Sequence, residues 1–474
     1  MAPVNRIPSE ILTLIPDFWH KYGDGRDRDL VALTHVCRAW REMFTSRSSL
    51  WADMDCKNYD RARVYLERSK SLPINLSLHA DNHLPSHHPF FEIIPHAIGR
   101  LRSLFIEGPL EDLRGITDHT PRPAPLLEKL LICGDHHYKP HLRPVVAPAL
   151  FGGDLSSLCS LGLRSVRTEL PWRNMVNLTS FKLHYMSLGE VSIGQLLDFL
   201  ESAPRLRKAN IYEATPTSGA QNGRLVSLPC LKRMEITGGG SASPLLDHLL
   251  IPVGARLEIE VELPSPPIKD RPPRFLDNLR NLPNFTKIEL DSGGSGPQME
   301  LSGPNGQIAI IAMIPRSSQV DKTCLILESL DHFDTSKVEQ LETYCGDSPS
   351  SDPPYRALLP MEHLRVLTLD HCASPHTFIH ALHPAMSLSG TVVCPELEEL
   401  VIVLGSRTLD VRSVIGAAAA RASRGAKLKS VKIVGQDKLA RIDVLELKKH
   451  VLDVECGPEV DETDGDGGGI GEQD

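Results

Sequence analysis

A short pattern of apolar positions recurs along most of the chain: an apolar residue, two others, an apolar residue, one other and an apolar residue. The first unit is Leu101-Leu104-Ile106 and the last is Val451-Val454-Cys456. Because side chains alternate along a strand, the last two apolar positions face the same side, which predicts a short β-strand in each unit. The twelve units begin at Leu101, Leu127, Leu158, Leu178, Leu206, Leu231, Phe285, Val338, Leu364, Leu397, Leu428 and Val451.

The spacing of these units indicates a repeat array. Successive units start 20 to 33 residues apart, except across two intervals of 54 and 53 residues. A period of this size is typical of repeats that stack on their neighbours. Each long interval predicts one further strand, at 257–261 and at 324–327. The run 195–203 before Pro204 predicts a connecting helix. The stretch 299–314, with Asn305-Gly306 between apolar runs, predicts a β-hairpin.

The first fifty or so residues carry a helical pattern instead. One amphipathic helix is predicted early in the chain, with Pro8 in its first turn, and a second is predicted from Asp29, an N-cap candidate. Leu50-Trp51 follows a serine-rich turn. So short a segment cannot bury all these apolar side chains by itself, so part of this face is expected to meet a partner. The apolar positions of the two helices are Ile7, Ile11, Leu12 and Ile15, then Leu30, Leu33, Val36, Cys37 and Trp40.

The ordered set of these N-terminal motifs resembles an F-box, which docks on the Skp adaptor of cullin-RING ubiquitin ligases. It consists of Ile7-Pro8, Glu10-Ile11-Leu12, Val36-Cys37-Arg38-x-Trp40-Arg41 and Leu50-Trp51. The resemblance implies a Skp-type adaptor, and through it a cullin, as partners, and no catalytic residue in the motif. The segment 16–25 is a few residues longer than is usual in the family. The implied adaptor contacts are Ile7, Pro8, Ile11, Leu12, Ile15, Leu33, Val36, Cys37, Trp40, Leu50 and Trp51.

A second interpretation of the same positions remains open, a helical hairpin packed on the chain's own downstream domain. The next segment, 59–78, predicts a helix followed by an alternating strand from Ile74. This segment is similar to the one that joins the F-box to the following domain in fungal-type F-box proteins. It is therefore expected to be a structural bridge.

The repeats between about 100 and 456 loosely resemble leucine-rich repeats, although most units lack the usual asparagine or cysteine. The resemblance implies an α/β fold in which a small N-terminal helical F-box precedes a leucine-rich-repeat-like solenoid of short parallel strands with helical returns. A generic α/β domain with parallel strands is the alternative. The predicted organisation is an F-box at 1–55, a linker helix and strand capping the array at 56–99, the repeat domain with proline-rich insertions at 100–456, and an acidic, glycine-rich, disordered tail at 457–474.

The charge and cysteine content of the chain limit the classes of partner that it is expected to bind. The chain of 474 residues has a formal charge of −9, and the segment 459–474 alone holds seven acidic and no basic residues. No basic field is expected for nucleic acid. Ten cysteines without a CxxC motif predict neither a disulfide framework nor a zinc site. No secretory signal or membrane-length apolar run is visible, which predicts a soluble protein of the cytoplasm, the nucleus or both.

The sequence lacks the common catalytic motifs. No phosphate-binding GxxxxGK[ST] loop, HExxH or GxSxG motif is present. His376, His380 and His383 stand at i, i+4 and i+7, so a metal-dependent enzyme built on these imidazoles is one alternative. The other interpretation is a helix with a buried face of Phe378, Ile379 and Leu382. We predict no metal, no cofactor and no enzymatic activity.

The sequence therefore predicts a substrate-recognition subunit of an SCF-type (Skp-cullin-F-box) ubiquitin ligase that binds a protein target through its repeats. A non-catalytic scaffold, with the N-terminal helices only capping the array, is the alternative. Target contacts are expected on the strand face between the stacked apolar positions, where Phe105 and Leu131 are candidate hot spots. The candidates on this face are Phe105, Leu131, Lys182, Asn210, Glu235, Glu289, Thr368 and Lys432.

Overall fold

A computed structural model describes the chain between Arg26 and Gly457 with interruptions. It divides into two compact units, Met1–Leu231 and Lys232–Asp474, and the predicted boundaries near 55, 99 and 456 stay a prediction. Both units combine helices with mostly parallel strands, which confirms the α/β class. The described residues are 26–56, 58–79, 90–107, 122–134, 145–146, 150–168, 175–184, 192–212, 223–237, 243–252, 254–262, 285–293, 297–304, 308–314, 322–345, 352–383, 392–404, 409–435 and 441–457.

The first unit begins with helices and continues as a parallel sheet whose main strands pair in chain order. A small separate pair, Val145–Val146 with Arg167–Thr168, lies outside this sheet. The helices are α1 (Arg26–Val36), α2 (Arg38–Ser46), α3 (Tyr59–Arg68), α4 (Phe90–Ala97) and α5 (Ile193–Ser202). The strands of the main sheet are β1 (Asp53–Asp55), β2 (Ile74–His79), β3 (Leu101–Glu107), β4 (Lys129–Cys133), β5 (Ser160–Arg164), β6 (Ser180–His184) and β7 (Lys208–Tyr212).

The predicted apolar positions stack across this sheet. Leu104, Leu130, Leu161 and Phe181 are register partners on successive strands, and all are buried. The helix predicted at 195–203 packs on the same side, where the ring of Phe199 lies 4.2 Å from that of Phe181. Its start is fixed by a capping box between Ser192 and Gln195. The alternate strand residues lie on the opposite side, which we call the open face of the sheet.

The second unit contains a longer sheet interrupted by one antiparallel strand. Its strands pair in the order β8, β9, β12, β11, β10, β13, β14, β15, β16, β17, and β11 runs antiparallel to both of its neighbours. The strands are β8 (Arg233–Thr237), β9 (Arg256–Glu262), β10 (Lys287–Asp291), β11 (Gln298–Ser302), β12 (Ile308–Ile314), β13 (Gln340–Tyr344), β14 (Val366–Asp370), β15 (Glu399–Val403), β16 (Ser430–Val434) and β17 (Asp453–Gly457). The longer helices are α6 (Lys322–Ser329), α7 (Asp352–Leu358), α8 (Pro375–Ala381), α9 (Val411–Ser423) and α10 (Arg441–Leu447).

All twelve units of the sequence pattern lead into strands, and the strand predicted at 257–261 and the hairpin at 299–314 are also confirmed. The strand predicted at 324–327 is wrong, because this segment lies in α6. A short apolar run does not distinguish a buried helix from a buried strand. The hairpin of β11 and β12 explains the 53-residue interval between Phe285 and Val338. Its two strands lie between β9 and β10 in the sheet.

Two further expectations need correction. The second N-terminal helix starts at Arg26 rather than near Asp29, and extended backbone at Cys37 (φ −159°, ψ 172°) divides it into α1 and α2. The last repeat unit forms β17, but its Cys456 is exposed because no strand follows it in the described chain. No helix in the described ranges has the length and apolar character needed to cross a membrane.

Candidate functional site

Helices α1 and α2 present the described part of the F-box-like motif. Val36 and Val31 on α1 are exposed apolar residues, at 51% and 37% of their full surface, while Leu33 between them is buried. Cys37 at the junction is half-buried. The junction is held by the Arg41 guanidinium, whose Nε donates to the Thr34 carbonyl at 2.9 Å. Within the described part of the chain, Val31 and Val36 are therefore apolar residues of α1 that stay exposed.

The aromatic residues of the motif lie inside the first unit instead. Trp51 and Leu50 are only 1% and 2% exposed, and Trp40 is 9% exposed with its ring edge-on to Phe44. These three side chains are predicted to contact an adaptor, and that stays a prediction. In this conformation they support the helices and offer almost no surface. The other predicted contacts, Ile7, Pro8, Ile11, Leu12 and Ile15, lie outside the described residues.

Trp51 fastens α2 to the rest of the first unit. Its indole Nε1 donates to the Phe44 carbonyl at 2.9 Å, one of the last carbonyls of α2 that the helix itself leaves unpaired. Its ring packs edge-on against Tyr65 of α3, with centroids 4.8 Å apart. The Arg68 guanidinium lies over the same ring at 4.4 Å. Strand β1 follows directly and pairs with β2, so the motif is continuous with the sheet.

Arg100 makes the second connection between these helices and the sheet. It lies just before β3, and its guanidinium donates to the Leu66 carbonyl at 2.7 Å and to the Ser69 hydroxyl at 3.1 Å. It also bonds the Lys70 carbonyl. These acceptors surround the C-terminus of α3, where a cation stabilises the helix end. Burial lowers the pKa of Arg100 from its ordinary value.

The open face of the first unit carries an apolar centre beside lysines. Phe105 and Leu131 are register partners on β3 and β4, and the next position on β5 is Gly162. The Leu131 side chain covers that glycine, because a Cβ at Gly162 would lie 2.4 Å from Leu131 Cδ1. Lys182 of β6 follows in the same row and is exposed. Asn210 of β7 completes the row and bonds the His184 ring at 2.9 Å.

The same face is acidic at its β3 edge. Glu107 lies 2.9 Å from His79 Nδ1, and the His79 ring packs against Phe105 with centroids 4.8 Å apart. The predicted face residues Phe105, Leu131, Lys182 and Asn210 thus lie in a single row across adjacent strands. Whether they bind a target stays a prediction.

The open face of the second unit is dominated by glutamates. Five of them, with Ile310 between two, occupy one row: Glu235, Glu258, Glu300, Glu289 and Glu342. Cations on the same strands offset part of this charge. Arg233 bonds Glu235 and lies 3.1 Å from Glu258, and Lys287 bonds Glu289 and lies 3.4 Å from Glu342. The hydrogen bond to Glu289 raises the pKa of Lys287. Thr368 and Lys432 lie further along the row, on β14 and β16.

The alternative metal site does not assemble. His376 and His380 are exposed and His383 is half-buried, while Phe378, Ile379 and Leu382 are buried, as the helical interpretation predicts. Within the described ranges, no three histidine, cysteine, aspartate or glutamate side chains come together in a group that could hold a metal ion.

Beside this helix lies a buried thiol cluster. Cys345 and Cys372 contact the Thr343 hydroxyl at 3.4 and 3.2 Å. The hydrogen bond between the two thiols and burial raise the pKa of Cys345, and the same hydrogen bond lowers that of Cys372. All ten cysteines of the chain are free thiols.

A shallow cleft of about 650 Å³ lies at the amino ends of β4 to β7. Its polar lining includes Arg205, Arg207, Thr179 and Cys159. The carboxylate in its lining, Glu128, is already paired with Arg102 at 2.9 Å. The lining contains no histidine, so it lacks the base that would activate a cysteine nucleophile.

Sequence reasoning missed Val31, Glu258 and Glu300. The predicted apolar stripe passes through Leu33 and Trp40, which the structure buries, and does not include Val31. Glu258 and Glu300 lie on strands β9 and β11, outside the regular repeat units, although the alternation around each already placed it opposite the apolar residues. No family model matches this chain, and the comparison with curated proteins found no match.

Proposed function

We propose that this chain is a substrate-recognition adaptor of an SCF-type ubiquitin ligase. Its N-terminal F-box-like motif would dock on a Skp-type adaptor, and through it on a cullin, in the cytoplasm or nucleus. The open faces of the strands would hold a protein target. The chain needs no catalytic group for this role, because holding a target near a ubiquitin-charged enzyme raises the effective concentration of the reacting groups.

The observation that carries the proposal is the exposure of Val31 and Val36 within the F-box-like motif. Both lie on α1, beside a buried Leu33. Arg41 joins α1 to α2, and Trp51 ties α2 to α3. Exposed apolar residues on a helix within this motif are available to pack against a partner. The stacked leucines and the parallel strands, which pair in chain order in the first unit, further support a leucine-rich-repeat-like solenoid as the target-binding part.

Co-purification with a Skp-type adaptor tests the proposal. Replacing Val31 and Val36 with aspartate puts two charges into the proposed interface without touching the buried core. The matched control is Val64→Asp, an exposed valine at 39% on the neighbouring helix α3. We expect the wild-type chain and the control to retain the adaptor and the double variant to lose it, with unchanged circular dichroism in all three. Equal retention by the folded double variant would refute the assigned surface.

A repeat scaffold unconnected to ubiquitin is the second candidate, and a specific observation favours it. Trp40, Leu50 and Trp51 are buried and β1 lies at the edge of the sheet, as expected of a helical cap. Deleting residues 1–55 does not separate the two functions, because it also removes β1 and uncovers Tyr65. Failure of the well-folded wild-type chain to bind any Skp-type adaptor would favour the scaffold.

A further inference from the structure

The open face of strands β4 to β7 has a charge of one sign. Its twelve positions include Lys129, Arg164, Lys182 and Lys208 and contain no aspartate or glutamate. The three lysines are exposed, and none of the ion pairs in the described part of the chain uses them. We call these four cations the basic face. The comparable row of the second unit carries five glutamates, so the basic face is a local feature of a chain whose formal charge is −9.

An apolar patch adjoins the basic face. Phe105 and Leu131 are adjacent in the row that leads to Lys182, and Gly162 between Leu131 and Lys182 carries no side chain. Neighbouring strands are about 4.8 Å apart, so Leu131 and Lys182 are separated by about 10 Å, or about three residues of an extended peptide. Lys129 and Lys208 lie three strand spacings apart in the parallel row, about 14 Å.

We propose that the basic face binds an acidic protein segment whose apolar side chain packs on Phe105 and Leu131 and whose aspartates or glutamates, about three residues away, meet Lys182 and Lys208. The proposal rests on the target-binding role given above and names the chemistry of the target. Charge complementarity argues for this occupant, since unpaired lysines gain most from carboxylates. A nucleic acid is disfavoured because the row leading to Lys182 begins with the apolar side chains of Phe105 and Leu131 and the face carries only four cations.

The test measures binding of synthetic probes to the full chain by fluorescence anisotropy. The first probe is a labelled peptide with one phenylalanine flanked by pairs of aspartate or glutamate about three residues away. The second has lysine in place of every acid, and the third is a labelled thymidine oligonucleotide. The test variant is Lys182→Glu with Lys208→Glu. The control is Lys448→Glu, an exposed lysine that lies in a turn after α10 and is not part of any strand.

We expect the acidic peptide to bind the wild-type chain and the control equally, and the double variant about tenfold more weakly or worse. Rising salt should weaken this binding, Phe105→Ala should reduce it, and the lysine peptide should not bind. The inference would be overturned by equal binding to the double variant, by no binding to the wild type, or by an oligonucleotide that binds more tightly than the peptide. Adaptor co-purification is a separate readout. Loss of the adaptor in the Val31 and Val36 double variant concerns the proposed function alone. Loss of peptide binding in the Lys182 and Lys208 double variant concerns the basic face alone.

Discussion

Replacing Trp51 tests whether the most characteristic residue of the motif supports the fold. Trp51→Ala removes a ring that is 1% exposed, together with its edge-on contact to Tyr65 and its position under Arg68. Deleting a buried tryptophan costs about 3 to 5 kcal/mol. The same change leaves the Phe44 carbonyl without its indole donor, and an unpaired buried acceptor costs about 1 to 3 kcal/mol. The two contributions overlap, so we expect a loss of about 4 kcal/mol from the local free energy of unfolding.

Trp51→Phe separates the two contributions. Phenylalanine keeps an aromatic ring against Tyr65 but cannot donate to Phe44, so the expected cost is about 1 to 3 kcal/mol. The matched control is Val36→Ala, an exposed truncation on α1 that should change stability by no more than about 0.5 kcal/mol.

Amide hydrogen exchange read by mass spectrometry is the suitable assay, because a chain of two compact units need not unfold in one step. Exchange in α2, α3 and β1 should accelerate strongly in Trp51→Ala and less in Trp51→Phe, with the strands of the second unit unchanged. Wild-type protection of these elements in Trp51→Ala would show that the burial of this side chain does not stabilise them, and the reasoning would fail.

Three further predictions concern the remainder of the chain. Arg421 of α9 is fully buried and donates to the Val393 and Cys394 carbonyls at 2.6 and 2.7 Å, so Arg421→Ala should lower the free energy of unfolding by about 3 kcal/mol or more. The control Arg412→Ala, at an exposed arginine of the same helix, should lower it by less than about 0.5 kcal/mol, and equal melting temperatures for the two variants would contradict the anchoring role. Iodoacetamide should label the exposed Cys230 and Cys456 but not Cys394, because burial raises the pKa of the Cys394 thiol to about 12. Labelling of Cys394 in the native chain, read by peptide mass spectrometry, would show that its surroundings are open. Gly134→Ala should destabilise the first unit by about 1 to 3 kcal/mol, because a Cβ there would meet the Ser165 carbonyl oxygen at 2.5 Å. Gly162→Ala should cost less, because its Cβ would meet the end of the Leu131 side chain, which can rotate away, and the reverse order in denaturant unfolding would refute this reasoning.

The strands were the most predictable part of this fold. A residue such as Leu130 or Leu367 is buried with its register partners on both sides, so its place in the sheet follows from a local spacing of two. The segment 324–327 shows the limit of that reasoning. Its four apolar residues suit a buried helix as well as a buried strand, and in the structure the hairpin just before it supplies the extra strands of the sheet.

The candidate site was less predictable. The spacing of apolar residues identifies one face of a helix but does not distinguish a face buried in the chain's own core from a face that binds a partner. Trp40, Leu50 and Trp51 lie on the same motif as Val36, yet only Val36 is exposed. The difference arises from α3, whose contacts with Trp51 are not visible in the motif itself. The charged residues of the open faces were easier to predict from the sequence. Lys182 and Glu289 each lie between two buried residues of a strand, so each must face the opposite side of the sheet.

The central claim is that α1 and α2 form the contact with a Skp-type adaptor. Hydrogen exchange of the full chain, measured with and without the purified adaptor, tests it most directly. The account predicts protection confined to the N-terminal helices, including residues 26–46, with no change on β4 to β7, where a target would bind. An adaptor that leaves 26–46 unprotected, or that protects the open strand face instead, would contradict it.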